Sequence, residues 1–210
     1  MIVIALLCTI RTFSRPPLYE QRATLFEQLE TDSLSIVMLG NSITHESEWS
    51  ELFKNANVLN RGISGDTSDG VLKRIQHITK GRPAKIFLMI GINDIQQGVS
   101  QDSIINNIES IIDSIIAVSP TTRIYLQSIL PVNTNFKVYK GLEGRENTVI
   151  EVNKRIEKIA QEKGFPFINL FNEFADENND LSPEWTNDGL HLLGRAYIKW
   201  RDILAPYIND

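Results

Sequence analysis

From about residue 35 to the C-terminus, short apolar runs alternate with segments of helical periodicity, and this alternation restricts the chain more than any other feature. Strands that are each followed by a helix pair in parallel, because a parallel connection needs a crossover long enough to return over the sheet. The candidate strands are Ser35 to Leu39, Asn57 to Asn60, Lys85 to Ile90, Arg123 to Gln127 and Pro166 to Leu170. Most are rich in Ile, Val, Leu or Phe, as strands buried on both faces are. Helices are expected over Tyr19 to Leu29, Ser68 to Thr79 and Gln101 to Val118, then around Val149 to Ile159 with a stop at Gly164, and finally from Leu192 to Ile208. The best defined is Gln101 to Val118. Its isoleucines at 104, 105, 108, 111, 112, 115 and 116 form a stripe of 3.6-residue period, with Ser100 as N-cap and Pro120 just beyond the end. Five such strands with crossover helices predict the α/β class, as a three-layer α/β/α sandwich around a five-stranded parallel sheet. Ligands bind such sheets at the carboxyl ends of the strands.

Only Cys8 is available as a thiol, so neither an internal disulfide nor a CxxC redox site can form. The 26 acidic and 21 basic residues leave a net charge of -5, and no Lys/Arg stripe exists to neutralise a phosphate backbone, which argues against nucleic acid as a partner. The apolar run Ile2 to Ile10 is too short to span a bilayer but has the length of a signal-peptide core, with Thr12-Phe13-Ser14 as a cleavage region. Residues 1–14 are therefore read as a signal peptide or N-terminal extension, and 15–210 as a single domain. This reading points to a secreted or periplasmic protein; a buried first strand in a cytoplasmic one is the alternative. A lipid anchor at Cys8 is disfavoured by Leu7, which stands where a small residue is needed.

Polar groups fall where the fold would use them. The first strand runs into Gly40-Asn41-Ser42-Ile43-Thr44, a turn that lifts the Ser42 hydroxyl to the sheet edge at a helix start, where free N–H groups suit an oxyanion. Asn and Ser are equally good helix caps, so this turn alone does not separate catalysis from capping. The second strand runs into Gly62-Ile63-Ser64-Gly65-Asp66-Thr67. Gly62 would let the backbone approach a ligand and donate its N–H, while Asp66 or Thr67 would cap the helix from Ser68. After the third strand, Gly91-Ile92-Asn93-Asp94 offers the Asn93 amide as a neutral donor to developing negative charge.

Asp188-Gly189-Leu190-His191 supplies a carboxylate and an imidazole three residues apart, the one able to orient the other as a general base for Ser42. The chain has two further histidines. His77 is expected on a helix surface or against the sheet. His45 is expected on a helix surface without an orienting carboxylate, Glu46 and Glu48 pointing elsewhere. No H-x-x-x-H or H-E-x-x-H pattern occurs, and Asp176 to Asp180 lacks the spacing of a calcium loop, so neither a metal nor another cofactor is expected.

Taken in order, Gly40-Asn41-Ser42, Gly62, Gly91-x-Asn93-Asp94 and Asp188-x-x-His191 resemble the four blocks of the SGNH (GDSL-type) hydrolases, across residues 36 to 191. The resemblance implies a flavodoxin-like sandwich, Ser42, His191 and Asp188 as a triad, and the Ser42 N–H, Gly62 N–H and Asn93 side chain as the oxyanion hole. Asn41 departs from the usual Gly-Asp-Ser, which puts any tuning by that acid in doubt. Gly62 to Thr67 further resembles the branch of platelet-activating-factor acetylhydrolase catalytic subunits and carbohydrate or sialate O-acetylesterases. The expected activity is a serine esterase acting on short acyl esters, acetyl first, on a small molecule such as an acetylated carbohydrate. A lysophospholipase or acyl thioesterase, and an inactive carbohydrate-binding module, are the competing readings.

Overall fold

The computed structural model describes residues 16–209; the apolar run from Ile2, Cys8 and the Thr12-Phe13-Ser14 region lie outside them. Five strands, β1 (Ile36–Gly40), β2 (Val58–Gly62), β3 (Lys85–Met89), β4 (Arg123–Gln127) and β5 (Phe167–Ile168), form one sheet in the order β2-β1-β3-β4-β5. Every pair is parallel, and all residues of β1 and β3 are buried, as their apolar runs require, with Lys85 at the start of β3 donating its Nζ to the Tyr207 and Ile208 carbonyls. The expected fifth strand is the one that shrinks. Pro166 has no N–H for a ladder, and Asn169 caps the next helix by accepting the Asn172 N–H, which leaves two residues to pair.

The helices in chain order are α1 (Pro17–Gln28), α2 (Ser42–His45), α3 (Trp49–Leu52), α4 (Ser68–Thr79), α5 (Ile92–Gln97), α6 (Gln101–Val118), α7 (Glu146–Lys163), α8 (Leu170–Phe174) and α9 (Gly194–Asn209). The β2-to-β3, β3-to-β4 and β4-to-β5 crossovers all step the same way, so right-handed connection puts α4, α6 and α7 side by side on one face. The β1-to-β2 step runs the other way and carries α2 and α3 to the opposite face. There Trp49 packs edge-on against Trp200 of α9 at 4.9 Å between ring centroids, and Trp200 Nε1 donates to Gln127 Oε1 at 2.8 Å.

On α6 the Ser100 hydroxyl accepts the Ser103 N–H at 3.2 Å, and the isoleucines at 104, 105, 108, 111, 112 and 115 are buried. Ile116 departs from the expected stripe. It is 40% exposed, because the stripe's width exceeds the face that the sheet and neighbouring helices cover. In this strand order the direction of chain progress reverses between β1 and β3, which opens a crevice at their carboxyl ends. Ser42 follows β1 and Asn93 follows β3.

Candidate active site

Ser42 is the first residue of α2 and 7% exposed. Asn41 caps the turn, its Oδ1 accepting the Ile43 N–H at 3.0 Å, so an amide suffices to hold this backbone. The short helix is pinned from three sides. Tyr197 Oη donates to Ile43 O at 2.9 Å, Trp49 Nε1 to Thr44 O at 2.8 Å, and Asn60 Nδ2 to His45 O at 2.9 Å.

His191 reaches the same point from the loop before α9. Gly189 turns that loop with φ +85°, a conformation in which a Cβ would run into the Asn133 carbonyl; its own carbonyl accepts the Asn133 N–H at 2.8 Å. Asp188 Oδ1 accepts the N–H groups of Leu190 and His191, both at 2.8 Å, and Oδ2 accepts His191 Nδ1–H at 2.8 Å. His191 Nε2 is then 2.9 Å from Ser42 Oγ, across 149 positions of chain. With Nδ1–H directed at the carboxylate, Nε2 carries the lone pair toward the hydroxyl, the tautomer in which imidazole can accept the Ser42 proton. Burial pushes the Asp188 carboxyl up. The His191 side chain and the two amides outweigh it and hold the group below its ordinary value, ionised at neutral pH.

Tyr139 completes this arrangement, and residue types alone did not reveal it. It lies between two single-turn 3₁₀ helices (Thr134–Phe136 and Lys140–Leu142) of the 131–145 loop, and its Oη lies 3.1 Å from Asp188 Oδ2 and 3.0 Å from His191 Nδ1. Burial, with the Asp188 charge beside it, pushes the phenol up to about 12, so it remains a donor. A lone Tyr in a loop carries no periodic signal; only docking of the loop on Gly189 brings it here.

At the neighbouring strand ends, Asn93 Nδ2 donates to Asp66 O at 2.8 Å, which leaves its second N–H available. Asp66 itself forms a buried ion pair with Arg74 at 2.8 Å, and Arg74 Nη2 also donates to Gly40 O at 3.2 Å, behind the Ser42 turn. Asp94 accepts the Ser68 N–H at 2.9 Å and the Ser68 hydroxyl at 2.6 Å, while burial pushes its carboxyl up to about 6. Asp66 and Asp94 thus hold the β2–α4 and β3–α5 turns together. Thr67 is the cap of α4, accepting the Gly70 N–H.

Two expectations, for Gly62 and His45, are corrected. Gly62 does not open space for a ligand: its N–H is donated to Asn60 Oδ1 at 2.9 Å, and a Cβ there would run into the His45 backbone nitrogen and lie 2.8 Å from Asn41 O. Its small size serves the packing of β2 against α2. Gly65, three residues on, is exposed with φ +80°, and its N–H meets no acceptor among the described residues. Glu46 points away from His45. Its Oε1 comes within 3.8 Å of His191 Nε2, because a residue capping α2 one turn after Ser42 stays on the same side. His45 is half-buried, not a bare surface residue, with Nδ1 2.8 Å from Ser64 Oγ; burial, then the Arg22 charge, lower its basicity. His77 sits on α4, 3.5 Å from Glu27 of α1. Among the described residues no group of three or more His, Cys, Asp or Glu could hold a metal ion, and no helix is long and apolar enough to cross a membrane.

Residues 38–197 match the model of the GDSL-like Lipase/Acylhydrolase family. Among solved structures, one from Streptococcus pneumonia, provisionally named a platelet activating factor, superposes with a TM-score of 0.83 at 31% identity, covering 91% of this chain and 92% of its own. Axe2, an acetylxylan esterase from Geobacillus stearothermophilus, shares the fold with a TM-score of 0.69 at 17% identity, covering 86% of this chain and 96% of its own. Platelet-activating factor acetylhydrolase IB subunit alpha2 of Rattus norvegicus is 26% identical over 153 residues, covering 72% of this chain. The chain spans 64% of that relative's length.

Proposed function

This chain belongs to the GDSL-like lipase/acylhydrolase family, whose members hydrolyse carboxylic esters, and on that premise we propose that it is a serine esterase removing acetyl groups from a small alcohol, an acetylated carbohydrate first. The observation that carries the reading is the 2.9 Å separation of Ser42 Oγ and His191 Nε2, with Asp188 on the opposite ring nitrogen. In this mechanism His191 takes the hydroxyl proton as Ser42 attacks the ester carbonyl. It returns that proton to the departing alkoxide, and then activates water to release acetate from the acyl-enzyme. Asp188 stabilises the imidazolium and fixes the ring.

The tetrahedral oxyanion is held by the Ser42 N–H and the second N–H of Asn93. Gly65 takes the place expected of Gly62, since the Gly62 amide already has an acceptor in Asn60. Acetyl is favoured as the acyl group by two of the similar proteins, one named an acetylhydrolase and the other an acetylxylan esterase.

The test is hydrolysis of p-nitrophenyl acetate together with labelling by a fluorophosphonate probe. The wild type should turn over the ester and be labelled at Ser42, and Ser42→Ala should lose both, with a rate loss of at least about 10⁴. A fully active Ser42→Ala protein rejects the assignment. A folded, unlabelled wild type supports a non-catalytic binding module instead. A series from acetyl to octanoyl and longer esters separates this reading from a lysophospholipase or thioesterase, whose rates would rise with chain length.

A further inference from the structure

Glu46 stands where the mechanism has no use for a carboxylate. Its N–H donates to Ser42 O at 2.9 Å, so its backbone is fixed relative to the nucleophile, and its half-exposed side chain reaches over the pair to within 3.8 Å of His191 Nε2. Among the described residues it forms no ion pair with any Lys or Arg. The guanidinium groups of Arg22, Arg61 and Arg74 gather instead around the Phe26 ring, at 4.7, 4.8 and 6.0 Å from its centroid. The nearest counter-charge for Glu46 is therefore the imidazolium that forms during catalysis.

The position of this charge bears on the substrate. Under the esterase reading above, on which this inference rests, Nε2 must hand its proton to the oxygen of the departing alcohol. That oxygen lies beside Nε2, and the group it carries must pass along the face that Glu46 occupies. A carboxylate there accepts hydrogen bonds from hydroxyl groups and repels anions.

We infer that Glu46 is a specificity-determining residue that selects the alcohol half of the ester by charge: neutral, hydroxyl-rich alcohols such as uncharged sugars are accepted, and alcohols bearing a carboxylate or phosphate near the ester are rejected. The Tyr139 phenol, near enough for the Glu46 charge to help push it up, is a neutral hydrogen-bonding group that complements a polyol. A unit charge a few ångströms from a half-exposed carboxylate alters an equilibrium constant by about tenfold.

The experiment compares kcat/KM of the wild type, Glu46→Gln and Glu46→Lys on two acetyl esters matched in size: an O-acetylated methyl glucoside and the same compound with its 6-carbon oxidised to the carboxylate. The wild type should prefer the neutral ester by about tenfold or more, and the preference should narrow as salt is raised. Glu46→Gln should cut the neutral-to-anionic ratio about tenfold and Glu46→Lys should invert it. A ratio unmoved within twofold in both variants, each still hydrolysing p-nitrophenyl acetate, overturns the inference and leaves the esterase reading standing. A wild type inert on every ester and unlabelled at Ser42 removes both.

Discussion

The Tyr139 hydroxyl lies 3.1 Å from Asp188 Oδ2, on the same carboxylate oxygen that receives the His191 ring. Two donors from different loops converge on one acceptor, so the carboxylate is held from the 131–145 loop as well as from its own turn. Asp188 can then keep a single rotamer while, in the proposed mechanism, the imidazole it orients gains and loses a proton.

Tyr139 is thus a positioning residue, and Tyr139→Phe isolates its hydroxyl from its ring. We expect kcat to fall about tenfold with KM nearly unchanged, since the lost hydrogen bond acts on the base and not on the substrate. Steady-state kinetics on p-nitrophenyl acetate check this. A change confined to KM, with kcat intact, would place Tyr139 in substrate binding instead.

Asp188→Asn keeps the shape of the turn, because Asn can still accept the Leu190 and His191 amides through one oxygen. It no longer selects the tautomer that leaves Nε2 free. The expected result is a kcat reduced by about 10³–10⁴ in a protein whose thermal midpoint stays within a few degrees of wild type. Retention of a tenth of the activity or more would contradict the role given to the carboxylate.

The two glycines after β2 should respond differently to alanine. Gly62→Ala forces a methyl into the backbone of α2, which cannot yield as a flexible side chain could, and should cost more than about 3 kcal/mol. Gly65→Ala meets only Pro16 at 3.5 Å and bears the cost of positive φ, about 1–2 kcal/mol. Urea unfolding of both variants would show the order; equal losses would mean that Gly62 is not packed as described.

Asp94 sets a pH dependence of stability. Its carboxyl is pushed up to about 6, above the ~3.9 of an unfolded chain, so between these values the native state keeps a proton that the unfolded state has released. Its stabilising contribution is complete below about pH 4 and is lost as pH rises through 6. Relative to an Asp94→Asn variant, the wild type should therefore lose on the order of 2–3 kcal/mol between pH 4 and pH 7. Denaturant midpoints at four pH values suffice, and parallel curves for the two proteins would refute the assignment.

How much could be read from the chain follows from which interactions are local. Strands β1, β3 and β4 and helices α4 and α6 lie close to where composition and period put them, because burial on both faces or on one stripe writes itself into consecutive residues. Ser42 and Asn93 stood out because a parallel sheet sends every strand end to one edge, and Asp188 and His191 by their three-residue spacing. The single-turn helices α2 and α3 have no period to detect. Gly62 fits both a ligand contact and a helix contact, and only the docking of α2 separates the two. Tyr139 owes its place to loops folding onto one another, which no window of neighbouring residues encodes.

The pinning of α2 by Tyr197, together with the arrival of Asp188 and His191 only after β5, means that the hydroxyl at 42 meets its proposed base from a segment that follows every strand of the sheet in the chain. A nascent or truncated chain could assemble the whole parallel sheet and still be inert. Turnover therefore reports completion of the fold more stringently than helix content does, and an unstructured stretch around 186–197 would silence the enzyme while leaving most of its core intact.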